Sequence, residues 1–258
     1  IQGSVTWSTD VPTAPEDIYG CTDPYADNYD SDATVDDGSC SGYPDNGDYS
    51  LSFDGEDDWI GLSNSYSFES NLTFQAWIRP SSNGDFNGND AGKCIYSQGA
   101  QESVSWADFA VGLNTSFPGA NGELRVVAEF GGADNRQVAD ETNLPVNQWT
   151  NIAVAYNSGT VRFYINGELT STSSVNINTL TNNNSNVFIG KRMSSSSGAS
   201  GNFAGELDKL TLWNNVLTIE QIQSNMNSVL SGNEEDLIGY WNFNTGEGEN
   251  IYDHSGNQ

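Results

Sequence analysis

The sequence predicts an all-β fold, an antiparallel β-sandwich with one short helix. Three observations predict it. From Tyr49 onward, short apolar and aromatic runs alternate with Gly, Asn, Asp and Ser turns, the spacing of a sandwich or barrel. Eleven Phe, eleven Tyr and seven Trp among 258 residues supply a real core in spite of a formal charge of −27. A single segment carries apolar residues at helical rather than strand spacing.

Residues 1–20 hold Pro12 and Pro15 and no sustained periodicity, and read as a linker at a processed or cut start. Residues 21–42 form a small separate unit with almost no apolar side chains. Something that small needs a disulfide or a metal in place of a core. Cys21 and Cys40 bracket it and read as one local disulfide, which places the chain in an oxidising, extracellular or cell-surface setting. The third cysteine, Cys94, sits in an apolar run and reads as a buried thiol.

The sandwich is expected over residues 43–236. Its strands are expected at Tyr49–Phe53, Trp59–Leu62, Leu72–Arg79, Lys93–Ser97, Asp108–Leu113, Glu123–Phe130, Trp149–Tyr156, Thr160–Ile165, Val187–Gly190 and Phe203–Trp213. Thr160–Ile165 alternates cleanly, and Asn157-Ser-Gly and Asn166-Gly167 supply tight turns on either side. The helix is expected at Thr218–Leu230, where Ile219, Ile222, Met226, Val229 and Leu230 share a face and Thr218 with Gln221 makes a capping box. Leu237–Phe243 reads as a last strand, opening a C-terminal segment 237–258 that continues into a linker. Trp77, Trp149, Trp213 and Trp241 lie in strand runs and are expected in the core.

Charge narrows the partners. With 35 acidic against 8 basic residues, the field repels phosphate backbones and anionic lipid, so nucleic acid is excluded as a partner. No run approaches the roughly 18 apolar residues of a membrane span, so membrane insertion is excluded too. Such a field attracts hard cations, above all Ca²⁺. Asp27, Asn28, Asp30, Asp32, Asp36 and Asp37 concentrate oxygen ligands within the disulfide-bracketed unit, and calcium is the expected cofactor. The spacing is not that of an EF-hand: counted from Asn28, position 6 is Ala33 and position 12 is Ser39. A solvated acidic linker is the alternative.

The Cys21–Cys40 segment resembles the thrombospondin type 3-like calcium repeats of secreted bacterial multi-domain proteins. Further on stand, in order, Leu51-Ser-Phe-Asp-Gly-Glu-Asp-Asp-Trp-Ile, Leu72-Thr-Phe-Gln-Ala-Trp-Ile-Arg-Pro, Gln148-Trp-Thr-Asn-Ile-Ala-Val-Ala-Tyr, Val161-Arg-Phe-Tyr-Ile-Asn-Gly-Glu-Leu and Phe203-Ala-Gly-Glu-Leu-Asp-Lys-Leu-Thr-Leu-Trp. Through this succession the chain from about residue 49 to 230 resembles the laminin G-like jellyroll family of the concanavalin A-like lectin/glucanase group. The resemblance implies a jellyroll and a second calcium site formed by Asp54, Asp57, Asp58 and Asp208. The last residues resemble the link between tandem jellyrolls, which implies further domains in the parent chain.

The wider group includes glycoside hydrolases, whose strand motif Glu-x-Asp-x-(x)-Glu supplies two carboxylates. Glu206 and Asp208 are present here, but Leu210, Thr211 and Leu212 stand where the second glutamate belongs, so no catalytic residues are assigned. A lyase would want a basic cleft, and eight dispersed basic residues with His254 near the end do not furnish one. Binding is the expected use of the surface. The loops 81–92, 114–122 and 131–143 are rich in Asn, Asp and Gly, and Phe86, Trp106 and Phe117 are the candidate sugar-stacking aromatics. The expected function is a non-catalytic calcium-binding recognition or adhesion module for a glycan or cell-surface ligand. A hydrolase or lyase and a structural stalk spacer are the alternatives.

Overall fold

The computed structural model describes residues 17–22, 26–37, 39–40, 47–81, 93–99, 107–116, 118, 120, 122–131, 137–180, 186–192, 201–246 and 248–256. Two compact units divide the chain, Ile1–Pro44 and Asp45–Gln258.

In the first unit, β1 (Tyr19–Gly20) pairs in parallel with β2 (Val35–Asp36). Cys21 and Cys40 form a disulfide, as their bracketing predicts. Among the described residues only Cys21 and Ala26 are buried here, so covalent closure stands in for a core.

The second unit is mostly β. Its strands are β3 (Leu51–Asp54), β4 (Ile60–Leu62), β5 (Asn71–Pro80), β6 (Lys93–Gln98), β7 (Phe109–Asn114), β8 (Arg125–Phe130), β9 (Gln137–Ala139), β10 (Thr150–Asn157), β11 (Thr160–Ile165), β12 (Glu168–Ser174), β13 (Val187–Ile189), β14 (Ala204–Trp213) and β15 (Leu237–Trp241). One sheet runs β12-β11-β10-β5-β14-β15, with β3 also paired to β14; the other runs β4-β13-β6-β7-β8-β9. Every pairing within the two sheets is antiparallel, and together they form the sandwich.

Alternation decides which face is buried. Leu72, Phe74, Ala76 and Ile78 of β5 point inward beside Ile152, Val154 and Tyr156 of β10. From the other sheet come Tyr96, Phe109, Val111, Leu113, Val126, Ala128 and Phe130. Aromatic rings cross between the sheets: Phe74 meets Tyr96 at 6.1 Å and Phe130 stacks on Tyr156 at 4.9 Å. Such pairs add about 0.5–1.5 kcal/mol each beyond the area they bury. The Asn166-Gly167 turn forms as predicted, with φ of 50° and 76°, the left-handed pair of a type I′ hairpin.

Helix α1 (Ile219–Asn227) starts at the predicted capping box, Thr218 Oγ1 accepting from Gln221 N while Gln221 Oε1 accepts from Thr218 N. It is the one helix among the described residues, and it ends at Ser228, so Val229 is exposed rather than on the packed face. Ile222 is its buried contact, set on the outer face of the seven-stranded sheet among Ala153, Ala155, Tyr164 and Trp213. No helix among the described residues is long and apolar enough to cross a membrane.

The two ends of the sandwich are fastened to each other. Tyr49 N donates to Asn244 Oδ1 at 3.1 Å, and the Tyr66 hydroxyl donates to Asp253 Oδ2 at 3.0 Å. Asp253 Oδ1 also accepts from Tyr240 N and Ser255 N. Burial nonetheless raises the Asp253 carboxyl, against the downward pull of those bonds.

Candidate functional site

One group of carboxylates among the described residues brings its oxygens together: those of Asp54, Asp57 and Asp58 lie within 4.8 Å of one another. The turn after β3 builds the group. Asp54 Oδ1 accepts from Glu56 N at 2.7 Å and from Asp57 N at 3.3 Å, which folds the chain back. Asp58 Oδ2 closes the turn by accepting from Asp54 N at 2.9 Å. Gly55 is needed there: its φ is +84°, and a Cβ would meet the Ala204 methyl at 2.7 Å. The Glu56 amide, first among several backbone donors, holds the Asp54 carboxyl below its usual range. All three side chains are exposed, and an all-oxygen, ionised donor set of this kind suits a hard cation.

The turn lies at one rim of the sandwich. Asp54 pairs with Ala204, whose carbonyl accepts from Ser81 N, where the 82–92 segment departs. The Asn202 amide donates to Glu56 O and pins the turn to the same rim. Phe86 and Trp106 lie outside the described residues, as does Phe117.

Asp208 is not with the other three. It pairs with Trp77, four positions along β14 from Ala204, about 13 Å at the rise of a strand. There a β-bulge interrupts the β14–β5 ladder between Asp208 and Thr211, with Lys209 in a left-handed conformation at φ 47°. Asp208 faces a groove of about 460 Å³ on the outer side of the seven-stranded sheet, lined by Asp48, Tyr49, Trp77, Trp149, Asp208 and Asn227 among others. Its Oδ1 is buried and makes no hydrogen bond among the described residues. Desolvation pushes its carboxyl up to about 6, with Asp48 adding to the rise and Lys209 opposing it.

The groove corrects two core expectations. Trp213 and Trp241 are buried, but Trp149 is 39% exposed and Trp77 half-buried. The alternation carried the signal: Trp77 shares a face with Thr73, Gln75 and Arg79, opposite Phe74, Ala76 and Ile78, and Trp149 stands just before β10 begins.

In the N-terminal unit, Asp27, Asn28, Asp30, Asp32 and Asp37 are all exposed, and the Asp36 side chain lies outside the described atoms. Asp30 Oδ1 accepts from Asp32 N, Asp37 Oδ1 from Ser39 N, and the Asn28 amide donates to Ser39 O. The Ser39 bonds, side-chain first, lower the Asp37 carboxyl.

Glu206 is ion-paired with Arg79 on the outer face beside the groove. Where a second catalytic glutamate would stand, Leu210 and Leu212 point into the core, and the Thr211 hydroxyl donates to Gln75 O.

No curated protein matches the chain. Among solved structures, a protein of Bacteroides ovatus whose description proposes carbohydrate binding superposes with a TM-score of 0.61 at 19% identity, over 81% of this chain and 56% of that one. This chain thus spans little more than half the length of that relative. A heptameric SAP-like pentraxin of Limulus polyphemus superposes with a TM-score of 0.51 at 19% identity, over 67% of this chain and 78% of that one. Likeness at that identity is a likeness of fold. The sequence profile of a laminin G family, described as concanavalin A-like lectin/glucanases superfamily, matches residues 54–223, about two thirds of the chain. This protein belongs to the concanavalin A-like lectin/glucanases superfamily.

Proposed function

We propose that this chain is a non-catalytic, calcium-stabilised glycan-recognition module, exported from the cell and acting as part of a larger surface or secreted protein. One observation carries the reading: on a lectin-superfamily sandwich, Asp54, Asp57 and Asp58 converge at the rim from which residues 82–92 depart. Three ionised carboxylates this close repel one another without a counterion, and calcium would neutralise them and stiffen the rim. Carbonyls and water would complete its six to eight oxygens. Phe86, Trp106 and Phe117 are the aromatics proposed to receive sugar.

Several further features support the reading. The Bacteroides ovatus neighbour is described in terms of carbohydrate binding. The disulfide favours an oxidising compartment, and the segment around it resembles a thrombospondin type 3-like repeat whose Asp27, Asn28, Asp30, Asp32, Asp36 and Asp37 we propose as a second calcium set. Non-catalysis is supported by the occupied Glu206 and by the leucines that replace the missing acid/base.

A glycan array probed in calcium and again in EDTA tests the proposal. The expected result is binding in calcium that EDTA weakens at the rim. No binding in either buffer would leave only a spacer role. Release of reducing ends from a polysaccharide, abolished by Glu206→Gln, would make the protein a hydrolase.

A further inference from the structure

The groove around Asp208 has the composition of a second ligand site. Trp149 and Tyr49, 39% and 46% exposed, present ring surface to it, and Trp77 forms part of its wall. Large aromatics gathered on one exposed surface mark a place where something docks. The rings are held, not loose. The Trp77 indole N–H donates to Met226 O at 3.1 Å, so the last turn of α1 fixes its plane. Tyr49 is seated by its amide bond to Asn244 and by close approach to Gly246, where a Cβ would meet its ring at 2.5 Å.

Polar groups stand among these rings. Asp208 lines the groove, and a carboxylate there is an acceptor for ligand hydroxyls. Asn227 and Asp48 add an amide and a carboxylate at the same groove. The β-bulge with left-handed Lys209 is where the β14–β5 ladder departs from regular register beside Asp208.

The chemistry narrows the ligand. Asp48 and Asp208 outnumber Lys209 in the lining, and a net charge of −27 adds to a field that disfavours uronates and sulfated sugars. A cationic ligand finds its place on Trp149 already used, since the Arg79 guanidinium lies 5.8 Å from that ring. What remains suited is an uncharged ring with C–H faces for the indoles and hydroxyls for the carboxylates. We propose that this outer-face groove binds neutral polysaccharide, independently of calcium, through Tyr49, Trp77, Trp149 and Asp208. It stands apart from the Asp54 rim and rests only on the carbohydrate-recognition part of the function proposed above.

Native affinity electrophoresis of the full chain tests it, with galactomannan, mixed-linkage β-glucan, arabinan or polygalacturonate cast in the gel, in EDTA and again in calcium. The expected result is retardation by at least one neutral polysaccharide in EDTA. Trp149→Ala and Tyr49→Ala should each weaken it about tenfold or more, the loss of a stacking anchor. Both side chains are exposed, so their melting curves should match the parent's. Trp59→Ala, removing an equally exposed indole at 48% next to β4, should bind as the parent does. Retardation in EDTA that both groove variants retain would overturn the proposal. So would retardation by polygalacturonate alone, or none in EDTA. In that last case, binding restored by calcium would leave the rim reading standing, and binding in neither buffer would remove both.

Discussion

Arg192 Nη2 donates to Glu129 Oε1 at 2.8 Å, and the two side chains are 5% and 1% exposed. The same carboxylate accepts from Ala107 N through Oε1 and from the Gln137 amide through Oε2. A charge so deep is tolerable only because it is paired and hydrogen-bonded. One carboxylate therefore ties β8 to β9, to Ala107 just before β7 and to the segment after β13.

Removing one partner strands the other. Glu129→Ala should destabilise the sandwich by about 3–5 kcal/mol. Replacing both residues by leucine should cost much less, since no lone charge remains buried. Urea unfolding of the two variants measures the difference, and equal losses would show that the pair is not the source.

Asp208 gives a pH signature. Its folded carboxyl titrates near 6, above the unfolded value, so the native state holds its proton more tightly. Stability from this group is then present below about pH 4 and is lost as pH rises towards 6. Asp208→Asn should raise stability at pH 7.5 by on the order of 1–2 kcal/mol, allowing for solvent screening of a partly exposed group, and leave it unchanged at pH 4. Thermal melts at both pH values check this. A variant that melts lower only when calcium is present would return Asp208 to a metal site.

Calcium itself should be visible in the melting curve. A metal that binds only the folded state contributes about 2.7 kcal/mol at a hundredfold excess over Kd. EDTA should then lower Tm by roughly 5–10 °C for a unit of this size. Asp54→Asn should blunt that response, and a curve indifferent to EDTA in the parent would sink the proposed rim set.

Reduction should act locally. Breaking Cys21–Cys40 should loosen residues 17–40 while the sandwich keeps its melting transition, because one unit relies on covalent closure and the other on a core. Cys94, a buried thiol outside the disulfide, should alkylate only after denaturation. Its rapid modification in the native protein would contradict the burial.

The strands that bury one face were legible because burial writes alternation into sequence, as in β5 and β11. Two were not. β12, Glu-Leu-Thr-Ser-Thr-Ser-Ser, is an edge strand with much of it in water, so it has no apolar period; it forms because the Asn166-Gly167 turn delivers it onto β11. β9 is three residues long, too short for any pattern. At the candidate site, Asp54, Asp57 and Asp58 were reached through the resemblance to the laminin G-like family, whereas the groove assembles residues 48 to 227 through sheet register and a bulge. Long-range register of that kind leaves no local mark.

The Tyr49–Asn244 bond joins positions 195 apart, and the Tyr66–Asp253 bond clasps the same return. The polypeptide therefore enters and leaves this body at one doorway, and everything between is a closed circuit. A pull exerted between Tyr49 and Asn244 would open that doorway before it sheared either sheet. The circuit could equally be cut at the exposed bend of residues 146–148 and resealed at the doorway, giving a circular permutant with the same sandwich.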